Sequence, residues 1–362
     1  VTGISEPFKI PVGEQFIGRM VDALGQPCDT GGPLKADTFS GVFNPSPTLT
    51  ERAPVDQPLH TGTKILDVLV PIGKGQRELI LGDRMTGKTV IAVDAMLNQS
   101  DKNVVCIYCC IGKAVSALEK VVGALAERNS MSYSVLMAAT DKASVGEQYI
   151  APFAAATIGE YFMRKGRDVL VIFDDLTKHA WAYRQLSLLL ERPPGREAYP
   201  GDIFYIHTQL MERAGRLSKE LGGGSMTFLG IADTLQGDLT GYIPSNLISM
   251  CDGQVCLSTA LFGEGVRPAI EFALSRSIVG GKAQRLAHAR AVGIPLGDPA
   301  GAEAQRIGGK AHIEAGGAAG AHHLDHGIAC LPAARGLSGR GIHRFRQEPG
   351  TARVSRSAPA TP

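Results

Sequence analysis

Gly82-Asp83-Arg84-Met85-Thr86-Gly87-Lys88-Thr89 constrains the fold more than any other stretch of the chain. It fits the pattern G-x-x-x-x-G-K-[ST], whose mechanism requires a turn between a buried strand and a helix. The glycines let backbone N–H groups turn inward around phosphate oxygens. Lys88 places a positive charge near the β- and γ-phosphates, and the Thr89 hydroxyl is a ligand for Mg²⁺. The helix that starts near Lys88 adds the positive end of its dipole. The flanks suit this reading: Glu78-Leu79-Ile80-Leu81 is a short, mostly apolar run, and Thr89 to Leu97 is apolar with helical spacing. Gly82, Asp83, Arg84, Met85, Thr86, Gly87, Lys88 and Thr89 are therefore candidate nucleotide-binding residues.

A nucleotide site of this kind needs an acid at the end of a second buried strand. Val169-Leu170-Val171-Ile172-Phe173-Asp174-Asp175 supplies it, with five apolar residues running into two carboxylates. Asp174, the first acid after the strand, is paired here with Thr89 as a candidate Mg²⁺ ligand. Asp175 can serve the same end or cap the next helix.

With 362 residues, 44% hydrophobic and 20% charged, the chain has room for one large globular domain and something smaller. The net charge of +2 gives no global attraction to nucleic acid or to an anionic membrane. No run of about eighteen or more apolar residues is present, which excludes a spanning helix in this sequence, and no signal peptide is expected. Cys106-x-x-Cys109-Cys110 looks at first like a metal or redox motif, but it sits inside an apolar strand and reads as core packing by small thiols. That usage points to a reducing compartment.

Strand-like segments at 78–82, 103–111, 134–139, 168–174, 225–231 and 253–258 alternate with helix-like segments at 88–98, 114–128, 146–165, 176–190 and 203–220. The alternation predicts an α/β fold, a mostly parallel sheet covered by helices, with phosphate bound at the carboxyl ends of the strands. Residues 1–20 are short and turn-rich, and 21–60 read as a connecting segment. Beyond Arg285 the texture changes. The last 78 residues hold thirteen of the 44 glycines and six of the nine histidines, with neither helical nor strand period sustained. They are expected to be disordered. His322-His323-x-x-His326 has no strand pattern around it to hold a metal site and reads as a solvated His-rich coil.

The motifs also carry a family resemblance. Val70-Pro71-Ile72-Gly73-Lys74-Gly75-Gln76-Arg77 leads into the phosphate loop, and Phe173-Asp174-Asp175-Leu176-Thr177-Lys178 follows. Arg192-Pro193-Pro194-Gly195-Arg196-Glu197-Ala198-Tyr199-Pro200-Gly201-Asp202, Gly222-Gly223-Gly224-Ser225, Tyr242-Ile243-Pro244-Ser245-Asn246 and Gly265-Val266-Arg267-Pro268-Ala269-Ile270 come later in the same order. Over about residues 12–284 the chain resembles the alpha subunit of F-type ATP synthases, and the stretch from Pro193 to Asp202 separates it from the beta subunit. It resembles a divergent copy, of the kind an alternative, ion-specific operon carries.

The resemblance implies a RecA-like P-loop domain at 21–284, a remnant of an N-terminal β-barrel at 1–20, and a tail at 285–362 that does not match the family's helical C-terminal domain and reads as frameshifted, with a genuine unusual tail as the alternative. It implies ATP or ADP with Mg²⁺ as cofactors and Arg267 as a further nucleotide contact, a structural ion pair being the other reading of that arginine. It implies beta subunits in an alternating hexamer around a central gamma shaft, with a peripheral stalk. Attachment to the cytoplasmic face of a bacterial inner membrane would run through partner subunits only, and nucleic acid has no part.

Alpha subunits bind Mg-ATP without turning it over. Hydrolysis needs a carboxylate to orient the attacking water. In beta relatives that Glu follows a Gly after the next strand, and the matching pair here is Gly112-Lys113. A protonated lysine cannot take a proton from water. The family also projects an arginine finger into the beta site, worth roughly 10³–10⁵ in rate in related enzymes. Its local pattern L-S-V-S-R-V-G reads Leu274-Ser275-Arg276-Ser277-Ile278-Val279-Gly280 here. Ser275 matches, Ile278 stands at the finger position, and Arg276 lies two residues earlier, about 6.5 Å away on a strand. Met85 replaces a usual Gln. Two other readings fit the same residues: a truncated nucleotide-binding product that does not assemble, and another RecA-like hexameric ATPase, which would keep a Glu where Lys113 stands.

Overall fold

The apolar runs become the centre of one sheet because helices cover both of its faces. The computed structural model describes residues 7–284. A short antiparallel pair, β1 (Lys9–Val12) and β3 (Thr38–Gly41), flanks an edge strand, β2 (Met20–Val21). The long strands are β4 (Arg77–Gly82), β5 (Val104–Ile111), β6 (Ser134–Ala139), β7 (Asp168–Asp174) and β8 (Ser225–Asp233), followed by β9 (Gly253–Cys256) and β10 (Arg276–Ser277). Their spatial order is β10-β9-β4-β8-β7-β5-β6-β2. All neighbours run parallel except β9 and β10, and Gly215–Arg216 adds a short antiparallel strand to the start of β8.

Period 2 along each strand sends alternate residues to opposite layers. On β5, Val105, Ile107, Cys109 and Ile111 pack with α3 (Val145–Arg164), α4 (Leu176–Leu189), α5 (Ile203–Met211) and α6 (Tyr242–Met250). Val104, Cys106, Tyr108 and Cys110 pack on the other side with α1 (Lys88–Leu97) and α2 (Val115–Glu127). A strand buried on both faces shows no polar alternation, which is why β5 is apolar throughout. Cys106, Cys109 and Cys110 are fully buried core residues, as their strand setting predicts.

The turn-rich opening contributes more than a connection. Ile10, Val12, Phe16, Val21, Ala23 and Val42 are buried in the same core as α3. The helix expected over 203–220 ends at Met211. Past Glu212 the chain turns Arg213 inward, and Gly215–Arg216 is already pairing with β8. The expected tail and its His322, His323 and His326 lie outside the described residues.

Arg213 is the largest fully buried side chain among the described residues. Its Nε donates to Glu160 Oε1 on α3 at 2.6 Å, and its other nitrogens donate to Val42 O, Phe153 O and Thr157 Oγ1 at 2.8, 3.1 and 2.8 Å. This one guanidinium fastens α3 to the segment after β3. Glu160→Leu leaves the guanidinium without its counter-charge, and stability to urea should fall by about 3–5 kcal/mol. A loss under 1 kcal/mol would show that the backbone carbonyls suffice.

Candidate nucleotide-binding site

Four adjacent strands, β4, β8, β7 and β5, end side by side at the carboxyl edge of the sheet. Each delivers one element of the site there, as parallel α/β sheets do. β4 runs into the phosphate loop, β8 ends in Asp233, β7 ends in Asp174, and β5 runs into Gly112-Lys113. Around them lies an open cavity of about 1160 Å³ lined by Arg84, Met85, Lys88, Thr89, Lys113 and Arg267, among others.

The loop is shaped by Gly87, whose φ of 100° places it in the left-handed region immediately before α1. A side chain there would be strained, although no atom lies within 4 Å of the position its Cβ would take. The open space and the free N–H groups at the start of α1 make a cradle for an anion. Thr86 Oγ1 donates to Asp83 O at 2.8 Å, and Asp83 Oδ1 accepts from Thr234 Oγ1 at 2.6 Å and from Gly237 N at 3.0 Å. Asp83 therefore ties the loop to the segment after β8. Met85 is 90% exposed at the tip. Lys88 folds back: Nζ donates to Gly82 O and Asp83 O at 2.7 and 2.6 Å and pairs with Asp233 Oδ1 at 3.1 Å. Arg84 Nε lies 3.5 Å from the same carboxylate.

Thr89 and Asp174 meet. Thr89 Oγ1 donates to Asp174 Oδ2 at 2.8 Å. Tyr108 OH donates to the same oxygen at 2.7 Å. Lys113 Nζ donates to Thr89 Oγ1 at 3.0 Å and forms an ion pair with Asp174 Oδ1. A hydroxyl and a carboxylate are the oxygen donors a phosphate-bound Mg²⁺ takes. Here an ammonium is already in contact with both. Burial, followed by the charge of Asp174, pushes the Tyr108 phenol well above its ordinary range, so it remains a donor.

Asp175 serves the helix. Its side chain accepts from Lys178 N at 2.7 Å and caps α4. Arg267 borders the cavity; its Nη1 donates to Phe262 O and Val266 O at 2.7 and 2.8 Å, and its guanidinium stacks 3.4 Å from the centre of the Phe262 ring. Among the described residues no carboxylate pairs with it. Ser275 and Arg276 lie away from the cavity. Ser275 Oγ donates to Glu271 O at 2.7 Å and accepts from Cys256 N at 3.0 Å, pinning the turn before β10. Arg276 and Ile278 are both exposed while Ser277 turns inward to Pro71 O, so the two outer residues share a face.

Asp233, Tyr108 and the paired state of Lys113 were missed in the sequence. Asp233 carries the same signal as Asp174, an acid closing a buried strand, but β8 extends two residues past its expected end. Tyr108 carries no signal, because it reaches Asp174 only through the register that sets Cys110 opposite Asp174.

With this geometry established, the pattern of the ATP synthase alpha/beta family, nucleotide-binding domain, matches residues 62–277. The chain belongs to the ATP synthase alpha/beta family. It is 54% identical over 287 residues to ATP synthase subunit alpha 1 of Marinomonas sp. (strain MWYL1), covering 79% of this chain and 56% of that protein. Subunit alpha 1 of Shewanella frigidimarina (strain NCIMB 400) is 56% identical over 287 residues, covering 79% and 55%. Subunit alpha 2 of Nitrosospira multiformis is 55% identical over 284 residues, covering 78% and 56%. The chain thus spans about half the length of these alpha/beta-family relatives. No helix among the described residues is long and apolar enough to cross a membrane.

Burial, followed by the negative charge of Asp233, pushes the Asp175 carboxyl up from 3.8 to about 7. Across that window the folded chain holds a proton that the unfolded chain has released, so Asp175 costs stability as pH rises towards 7. Asn caps a helix as well as Asp does. Asp175→Asn should therefore raise Tm more at pH 8 than at pH 5, by a few degrees at ~2–4 °C per kcal/mol. An equal shift at both pH values would show that Asp175 does not titrate there.

Proposed function

We propose that this chain is a non-catalytic, nucleotide-holding alpha-type subunit of a rotary, ion-translocating ATP synthase. It binds ATP or ADP on the phosphate loop, with Thr89 and Asp174 as the oxygens that would hold a magnesium ion riding on the phosphates. Backbone N–H groups at the start of α1 and the Lys88 ammonium neutralise the phosphate charge. Lys88 is poised for this, because its present partners are two loop carbonyls and Asp233, all within reach of the cradle. Arg267, held on the cavity wall by two carbonyls, offers a further positive edge.

The observation that carries the non-catalytic reading is Lys113. Where hydrolysis needs a carboxylate to orient water, the chain has an ammonium engaged with Asp174 and Thr89. The partners we propose are beta subunits in an alternating hexamer, a central shaft and a peripheral stalk, with the membrane, the bacterial inner membrane on its cytoplasmic side, reached through other subunits. The consecutive exposed residues Leu188, Leu189 and Leu190, with Phe204 and Tyr205, support a chain that buries apolar surface against partners.

Two experiments test the reading. The purified chain should bind ATP, and Lys88→Ala should weaken binding more than roughly tenfold, the loss of about 1.4 kcal/mol or more. In single turnover the bound ATP should persist, and release of phosphate at a measurable rate would overturn the non-catalytic assignment. In hexamers reconstituted with beta subunits, Arg276→Val with Ile278→Arg restores the family order at the neighbouring site and should raise turnover. Unchanged turnover would remove any finger role from this strand.

A further inference from the structure

The cation position of the site already holds a side chain. Among the described residues, Lys113 Nζ is in contact both with Thr89 Oγ1, at 3.0 Å, and with the Asp174 carboxylate. These two groups would otherwise share a magnesium ion. The contact is built into the fold. Lys113 stands two residues past the end of β5, and its carbonyl accepts from Asp141 N at 2.9 Å, which fixes the backbone from which the side chain reaches inward. Gly112 before it takes a φ of 61° and donates its N–H to Ala139 O at 2.7 Å. Asp174 is fully buried, where an unpaired charge is costly, and Lys113 is the counter-charge that reaches it.

We propose that Lys113 is a built-in cation in place of most of the divalent metal's contribution, so that this site takes metal-free ATP nearly as readily as its magnesium complex. The inference rests on the nucleotide reading above and deepens it. A bound magnesium ion neutralises phosphate charge and is held by the Thr89 hydroxyl and, through water, by the Asp174 carboxylate. An ammonium on both groups supplies positive charge on the phosphate side of the site without the ion, so the ion adds less when it binds. Lys113 thus acts as a specificity-determining residue for the form of the nucleotide.

The test measures ATP affinity of the full chain by titration calorimetry, once with excess Mg²⁺ and once with EDTA, for the unchanged chain, Lys113→Gln and Lys113→Arg. Gln removes the charge and leaves Asp174 with the Thr89 and Tyr108 hydroxyls as donors, while Arg keeps the charge. Removing the metal should weaken binding by less than roughly threefold in the unchanged chain and in the Arg variant, and by more than roughly tenfold in the Gln variant. A metal dependence in the unchanged chain as large as in the Gln variant would overturn the inference and leave the nucleotide reading standing. Absence of ATP binding in both media would overturn both. If the Gln variant unfolds, the unchanged chain and the Arg variant decide alone, because a tenfold loss on chelation in either contradicts a built-in cation.

Discussion

The carboxylate of Asp174 organises the rest of the site. It is fully buried at the end of β7, where an unpaired charge would be costly, and the fold surrounds it with three donors from three separate elements. Thr89 comes from α1, Tyr108 from the middle of β5 and Lys113 from the loop after β5. Meeting the needs of one buried charge sets the depth of α1 against the sheet and the approach of the loop after β5. The phosphate loop, which enters α1, inherits its position from the same contact. Sheet stability and site geometry are therefore not separable at this point of the molecule.

The sign of residue 113 decides what that arrangement can do. A glutamate there would bring a second negative charge towards Asp174 and would need an external cation between the two. A lysine satisfies Asp174 internally and, on the non-catalytic reading proposed above, leaves no carboxylate there to orient water. Charge balance in the resting protein and turnover of the nucleotide thus pull in opposite directions at this position. The alpha-type pattern of the chain, with its overall likeness to alpha subunits, lies on the side of balance.

The sequence carried the central strands and their helices because both faces of the sheet are covered, which turns strands such as β5 and β7 into unbroken apolar runs. It carried the phosphate loop because backbone geometry demands specific residue types at specific spacings. Where it misled, long-range contacts had overridden local pattern. α5 stops at Met211 although favourable residues continue, since Arg213 is claimed by Glu160 on α3. Residues 1–20 read as a short, turn-rich remnant and 21–60 as a connection, because strands there are short and turns many, yet Phe16 and Val42 lie in the core. The partnership of Lys113 with Asp174 depends on strands 61 positions apart in the chain being neighbours (113 and 174), which no local pattern encodes.

The cysteines of β5 have a consequence of a different kind. Cys106 and Cys110 face the layer of α1 and α2, while Cys109 faces that of α3 and α4. Burial pushes all three thiols up, Cys110 to about 12, so none forms the reactive thiolate while the sheet is closed. Each becomes available to an alkylating reagent only when its own helical layer lifts. The strand is in effect a two-sided clock: the labelling rate of Cys109 against that of Cys106 and Cys110 reports which layer of the molecule opens first.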